Sequence, residues 1–226
     1  MRITYRLVII TAVFITCLIT ANTIAVKVVG FGPFILPAAV LVFPLSYIFG
    51  DVLTEVYGFR TARKVIWLGF ACNLVFVFFA WVGQLLPPAS FWEGQEAYQS
   101  ILGYTPRLLA ASFLGYLVGE FANSFVLSKM KILTRGRWLW SRTIGSTVVG
   151  EGLDSAIFIT LAFIGTASFA PVMILYHWLA KTLIEVVLTP LTYGIVNWLK
   201  QRESIDVYDH DTSYNPFIIS DQGESQ

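Results

Sequence analysis

Six stretches of roughly twenty mostly apolar residues follow one another along the chain, and they constrain its fold more than any other feature. They cover about residues 6–27, 33–53, 64–86, 107–129, 143–166 and 169–198. A helix of about 20 apolar residues crosses the hydrocarbon core of a bilayer. Because 56% of the 226 residues are hydrophobic and only 13% are charged, a soluble domain of this size could not hide so much apolar surface. The sequence therefore predicts an all-α integral membrane protein, a bundle of six transmembrane helices.

Lysine and arginine residues fall almost entirely on one side of the predicted membrane. Twelve lie in the N-terminus, in the connections after the second and fourth spans, and in the C-terminus, whereas the other side holds Lys27 and Arg107. Cytoplasmic connections carry the excess of positive charge in membrane proteins. We therefore expect a multi-pass protein of the cell membrane with both termini in the cytoplasm. Residues 1–200 would form one membrane domain, and residues 201–226 a polar, acidic, mobile cytoplasmic tail.

Five charged side chains interrupt the last three predicted spans. They are Glu120, Glu151, Asp154, Lys181 and Glu185. A charge at the centre of a membrane helix costs roughly 2.5–3.5 kcal/mol when it faces lipid. We therefore expect these side chains to face the interior of the bundle, in pairs or around water.

Two short stretches in the fourth and fifth spans repeat one pattern. Residues 119–124 and 150–155 both read Gly, Glu, two further residues, Asn or Asp, and Ser. Residues three apart share a helix face, which pairs Glu120 with Asn123 and Glu151 with Asp154. Small residues also let neighbouring membrane helices approach closely. The pattern predicts that the two helices meet at a shared polar site.

A second polar stripe lies in the sixth span, where His177, Lys181 and Glu185 are four residues apart. Lys181 could pair with Glu185 on its own helix or with Asp154 across the bundle. At least two of the inner carboxylates then lack a basic partner, so they either carry protons or await a ligand rich in donors or positive charge. Two structural alternatives stay open: Lys181 and Glu185 form an ion pair without further function, and His177 is an interfacial residue.

A third group of charges lies near the cytoplasmic end of the second span. Asp51 and Glu55 are four residues apart, close in sequence to Arg60, Arg63 and Lys64. One reading is a salt-bridge network at the membrane interface. The functional alternative is an inner gate, whose ion pairs break when the site opens to the cytoplasm.

The motifs of soluble catalysis are missing from the sequence. It has no Gly-rich phosphate loop and no HExxH, CxxC or GxSxG. Cys17 and Cys72 both fall in apolar runs, which argues against a disulfide framework or a zinc site. The sequence therefore predicts a protein that is not an enzyme and that uses no cofactor, metal or nucleic acid.

Several motifs together carry a family resemblance. They are ANTIA at 21–25 with Lys27, FPLSY at 43–47, GDVLTEVYG at 50–58, and the two repeats described above. This combination resembles the queuosine precursor transporters, a family also known as putative vitamin uptake transporters, over about residues 6–200. The resemblance implies uptake of 7-cyano-7-deazaguanine and also of 7-aminomethyl-7-deazaguanine, for queuosine modification of transfer RNA. The alternative is a substrate-binding subunit of an energy-coupled vitamin importer, which needs a partner.

A deazaguanine would suit the predicted polar site. Its N1–H and exocyclic amine are adjacent donors, which one carboxylate accepts in a bidentate, charge-assisted pair. The candidate substrate-binding residues are Asn22, Glu120, Asn123, Glu151, Asp154, His177, Lys181 and Glu185. Candidates for ring stacking are Phe43, Tyr47 and Trp178, with Phe121 and Phe158 as further apolar faces, and the candidate inner gate is Asp51, Glu55 and Arg60.

Two alternatives come from other functional classes. One is an intramembrane enzyme that uses Glu151, Asp154 and His177 for acid–base chemistry. The other is a structural or assembly protein of the membrane. The sequence leaves the oligomeric state open, a homo-oligomer included.

Overall fold

The computed structural model describes residues 4–31, 34–103, 106–166 and 169–218. Its helices and strands are α1 Tyr5–Ile24, β1 Val28–Phe31, β2 Phe34–Pro37, α2 Phe43–Tyr57, α3 Phe59–Leu85, α4 Gln95–Leu102, α5 Pro106–Leu133, α6 Leu139–Phe163 and α7 Val172–Glu203. Among the described residues, five helical stretches are long and apolar enough to cross a membrane, namely α1, α3, the stretch from α4 through α5, α6 and α7. The chain is therefore a mostly helical, multi-pass membrane protein.

The predicted second span is not one continuous helix. The antiparallel hairpin of β1 and β2 and a 3-10 turn, Ala38–Leu41, precede α2, which has only 15 residues. At 1.5 Å per residue such a helix is about 22 Å long, short of the roughly 30 Å of a bilayer core. Pro37 disfavours helix in the residue before it, and α2 starts with a proline, Pro44, in its first turn. The prediction of one continuous helix over 33–53 is wrong, because only its second part is α-helical, whereas the predicted helical fold class is confirmed.

The second half of the short helix α2 lies inside the bundle. Its residues from 50 to 57 are all buried, and Ile48, Val52 and Val56 are inaccessible to solvent. They belong to one apolar cluster with Phe14 of α1 and Val196 of α7. This burial places every polar side chain of α2 within the protein.

The helices α5 and α6 approach each other closely at the repeated motif, as the sequence predicts. A Cβ atom on Gly119 would lie 2.8 Å from the Cβ of Asp154, and one on Gly150 would lie 2.7 Å from the Cβ of Asn123. Only glycine fits at these two positions without a shift of the neighbouring helix. The close approach brings the polar residues of both repeats to one level of the bundle.

The segment after α7 packs against the end of the bundle that is predicted to be cytoplasmic. Asp209 is 4% exposed and accepts hydrogen bonds from the Phe59 backbone N–H, at 2.9 Å, and from Ser128 Oγ, at 2.6 Å. Further along, Trp67 Nε1 donates to the carbonyl of Pro216 at 2.7 Å. The sequence predicts a mobile tail from residue 201 onward, whereas its described part, up to residue 218, lies in contact with α3 and α5.

Candidate functional site

A cavity of about 370 Å³ lies between α1, α2, α5, α6 and α7. Seven of the residues predicted for the site line it: Asn22, Tyr47, Glu120, Glu151, Asp154, His177 and Lys181. Phe158 and apolar residues of α1 and α5 complete the wall. The volume falls in the range of small-molecule sites, which are mostly apolar with a few converging polar groups.

Lys181 is the centre of the charged part of this cavity. Its Nζ lies 2.7 Å from Glu151 Oε2 and donates to Asp154 Oδ2 at 2.5 Å. Tyr47 donates its hydroxyl to the same Glu151 oxygen at 3.2 Å. Of the two pairings that the sequence leaves open, the structure thus has the one across the bundle, to Asp154, and adds Glu151. One buried cation compensates two carboxylates.

His177 also faces the cavity, one turn before Lys181. Its Nδ1 lies 2.9 Å from Ser155 Oγ, and its ring centroid lies 6.1 Å from that of Phe158. Ser155 thus holds the ring through one nitrogen, and the imidazole forms part of the cavity wall.

Glu120 stands apart from the cation. Its side chain is 91% buried and lines the cavity, and we find no hydrogen bond or ion pair to it within the part of the chain that the structure describes. Its Oε2 lies against Gly50 of α2, 3.3 Å from the position that a Cβ would take there. A carboxylate in this position can accept two hydrogen bonds from a bound molecule.

Four predicted site residues are not among those that line this cavity. Asn123 lies behind it and donates its side-chain Nδ2 to Asp51 Oδ1 at 2.8 Å. Glu185 is fully buried one turn beyond Lys181. Trp178 donates to the Val148 carbonyl at 2.9 Å, on the outer side of α6. Phe43 begins α2, but its side chain lies outside the described residues.

Glu55 of the predicted inner gate forms ion pairs with cations other than those that lie close to it in the sequence. Glu55 is fully buried, and its Oε1 lies 2.8 Å from Arg142 Nη2 and 2.7 Å from Lys200 Nζ. Lys131 Nζ lies 3.8 Å from the same oxygen. These cations come from α6, α7 and α5, whereas Arg60 belongs to α3. The network therefore ties α2 to three helices at once.

Sequence reasoning missed both the cations of this network and part of the cavity wall. The sequence interpretation used three of these cations only as evidence for the cytoplasmic side: Lys131, Arg142 and Lys200. That use explains their positive charge but does not predict that they are buried. Ser112 and Tyr116 line the cavity. Tyr116 is four residues and Ser112 eight residues before Glu120, which puts both on its helix face, a signal that was available.

This arrangement is that of a multi-pass membrane protein with an internal cavity for a small molecule. Membrane-length helices surround a mostly apolar cavity of small-molecule size with a charged cluster in its wall, and an ion-pair network lies at one end of the bundle. Residues 37–195 match the model of a family described as "Putative vitamin uptake transporter". The chain belongs to this family, and the predicted family resemblance is confirmed.

Three curated relatives extend this finding. A "Probable queuosine precursor transporter" of Bacillus subtilis is 32% identical over 159 residues, which cover 68% of each chain. A protein of Haemophilus influenzae with the same description is 27% identical and covers 69% of this chain and 66% of its own. The "Queuosine precursor transporter" of Escherichia coli is 25% identical, with coverages of 71% and 72%. No solved structure matches the chain.

Proposed function

We propose that this chain is a transporter of the cell membrane that imports 7-cyano-7-deazaguanine and 7-aminomethyl-7-deazaguanine, precursors of queuosine in transfer RNA. The observation that carries the proposal is the Glu120 carboxylate, which faces a cavity of small-molecule size and forms no ion pair among the described residues. The descriptions of the three relatives support the choice of substrate. Both termini would lie in the cytoplasm.

The donors and acceptors of a deazaguanine complement the cavity. Glu120 would accept the N1–H and the exocyclic amine, a charge-assisted bidentate pair. His177 or Lys181 would donate to the O6 carbonyl. The rings of Tyr116 and Phe158 would cover the flat faces of the base, since both line the same cavity.

The charge of the cavity favours a cationic substrate as well. Glu120, Glu151 and Asp154 face a single cation, Lys181, so the wall carries an excess of acidic groups. The ammonium of the aminomethyl precursor would lower the cost of burying these carboxylates. We expect this precursor to bind at least as tightly as the cyano form.

Release to the cytoplasm would require the Glu55 network to open. Its ion pairs close the end of the bundle between α2, α6 and α7. A buried ion pair contributes little net stability but fixes one arrangement of its helices, which suits a gate that must break and reform during transport.

The test is entry of labelled 7-cyano-7-deazaguanine into liposomes that contain only the purified chain. We expect saturable entry, competed by the aminomethyl analogue and not by guanine. Glu120→Gln should raise the half-saturating concentration about 10- to 100-fold, since hydrogen bonds to a charged group contribute about 1.5–3 kcal/mol. Glu96→Gln, on the exposed surface of α4, is the matched control.

Each result has a distinct meaning. Equal entry by the Glu120→Gln and Glu96→Gln variants would refute the assignment of Glu120. Binding of the base without entry would favour the alternative, a binding subunit that needs an energising partner. Neither binding nor entry by a folded protein would overturn the proposed substrate.

A further inference from the structure

A second polar cluster lies behind the cavity, between α2, α5 and α7. It consists of Asp51, Asn123 and Glu185, of which Asp51 is 1% exposed and Glu185 is inaccessible to solvent. Asn123 Nδ2 donates to Asp51 Oδ1 at 2.8 Å. Asp51 Oδ2, Asn123 Oδ1 and both carboxylate oxygens of Glu185 have no hydrogen-bond partner among the described residues. The cluster therefore has acceptors in excess and lacks donors.

Two ionised carboxylates could not persist in this environment without compensation. The removal of a charge from water is costly unless a partner or hydrogen bonds replace the solvent. Asp51 and Glu185 also lie within electrostatic range of each other, so their negative charges repel. A proton on one of them removes one charge and supplies the O–H donor that the cluster lacks.

Other carboxyl groups near Asp51 and Glu185 raise the cost of ionising both of them. Asp51 interacts with Glu55 on its own helix and with Glu120 of α5, and Glu185 interacts with Glu151 of α6. The nearest cation along α7 is Lys181, whose ammonium contacts Glu151 and Asp154. Arg142 and Lys200 compensate Glu55, and Lys181 compensates Glu151 and Asp154, so these cations are already paired with other carboxylates and leave Asp51 and Glu185 without an ion pair among the described residues.

The geometry favours a proton over a metal ion. Within the described ranges, no group of three or more His, Cys, Asp and Glu side chains is placed to hold a metal. A proton needs only one carboxylate oxygen and an acceptor nearby. Asp51 and Glu185, on the neighbouring helices α2 and α7, both offer buried carboxylate oxygens without a hydrogen-bond partner among the described residues.

We propose that Asp51 and Glu185 form a proton site that is separate from the substrate cavity and that drives import as a proton symport. The coupling rests on the proposed function, whereas the proton site itself does not. With a proton bound, α2 and α7 pack together. After its release to the cytoplasm, two negative charges between these helices repel and favour the open state, next to the Glu55–Lys200 contact that joins the same two helices.

The site can be tested without any substrate. Infrared spectra of the purified protein, recorded across a pH titration, report the carbonyl stretch of a protonated carboxyl group. We expect a titrating band in the wild type and in Glu96→Gln that is lost or shifted in both Asp51→Asn and Glu185→Gln. A band that is the same in all four proteins would overturn the proton site.

The coupling is tested in proteoliposomes under an imposed pH gradient. In the wild type, an alkaline interior should accelerate uptake of 7-cyano-7-deazaguanine at least fivefold, and in Asp51→Asn the ratio of uptake with and without the gradient should fall to about one. Acceleration by a sodium gradient alone, or an unchanged ratio in the variant, would overturn symport with protons. If the wild type neither binds nor moves the base, the proposed function fails, and the infrared titration alone decides the proton site.

Discussion

Replacement of Gly150 by alanine should destabilise the bundle at the contact between α5 and α6. The new Cβ would lie 2.7 Å from Asn123 Cβ and 2.8 Å from the Gly119 carbonyl oxygen. Carbon atoms in contact normally lie about 3.5–4.0 Å apart, so the two helices would have to separate by roughly 1 Å. Overpacking of this kind costs about 1–3 kcal/mol.

The net loss of stability on Gly150→Ala is smaller than the steric cost alone. Alanine in the interior of a helix is more favourable than glycine by about 0.5–1 kcal/mol. We therefore expect Gly150→Ala to lower the free energy of unfolding by about 1–2 kcal/mol. For a chain of this length, this corresponds to a decrease in Tm of about 2–8 °C.

Gly194 of α7 offers a matched control for this substitution. A Cβ at this position would meet no atom within 4 Å. Gly194→Ala therefore keeps only the helical gain and should raise Tm by about 1–4 °C. The assay is thermal unfolding of both purified variants in one detergent, followed by circular dichroism. A shift of the same sign and size in both would refute the close approach of α5 and α6.

Two further substitutions probe the charged groups. Lys181→Met leaves two buried carboxylates without their cation, and the loss of one partner from a buried ion pair costs about 3–5 kcal/mol; a wild-type Tm and wild-type binding of the base would contradict this role. Burial alone would raise the pKa of Asp206, but hydrogen bonds from Lys131 and Lys200 hold that pKa below its ordinary value. A carboxyl group whose pKa is lower in the folded protein than in the unfolded chain, where it is about 3.9, stabilises the fold above that pH. This stabilisation is lost as the pH falls through the pKa of the folded state. Asp206→Asn should thus lower Tm at neutral pH, with a difference from wild type that vanishes well below pH 4 in acid unfolding scans, whereas Asp211→Asn, which is exposed, should match wild type throughout.

Most membrane helices could be predicted from the sequence because lipid enforces them. A chain in contact with hydrocarbon must satisfy its backbone internally, so a long apolar run there becomes a helix. The run over 33–53 differs: its first part forms β2 and a 3-10 turn, and only its second part is helical, with residues 50–57 buried in protein. Hydropathy cannot distinguish burial in lipid from burial in protein. Pro37 and Pro44 predict a kink or an unwound turn in this run, but they do not predict how far the helix is interrupted.

The residues of the candidate site were predictable on each helix, whereas the choice among their possible partners on other helices was not. Spacing alone aligned Glu151 with Asp154 and His177 with Lys181, and all four line one cavity. The partner of Lys181 depended on how closely α6 approaches α7, a distance that no spacing along one helix encodes. For the same reason, Glu185 shared the stripe of Lys181 in the sequence, yet it does not line the cavity.

One face of α2 contacts the cavity, the buried polar cluster and the ion-pair network in turn. Tyr47, Asp51 and Glu55 are four residues apart, so each lies about 6 Å beyond the last along the helix. They contact, in turn, Glu151 in the cavity, Asn123 in the buried cluster, and Arg142 in the network at the end of the bundle. Asp51 and Glu55 are buried in protein, so a small shift of α2 would keep them away from lipid. Under the proposed mechanism, such a shift would change all three contacts together and so would link occupancy of the cavity, protonation of the cluster and closure of the network.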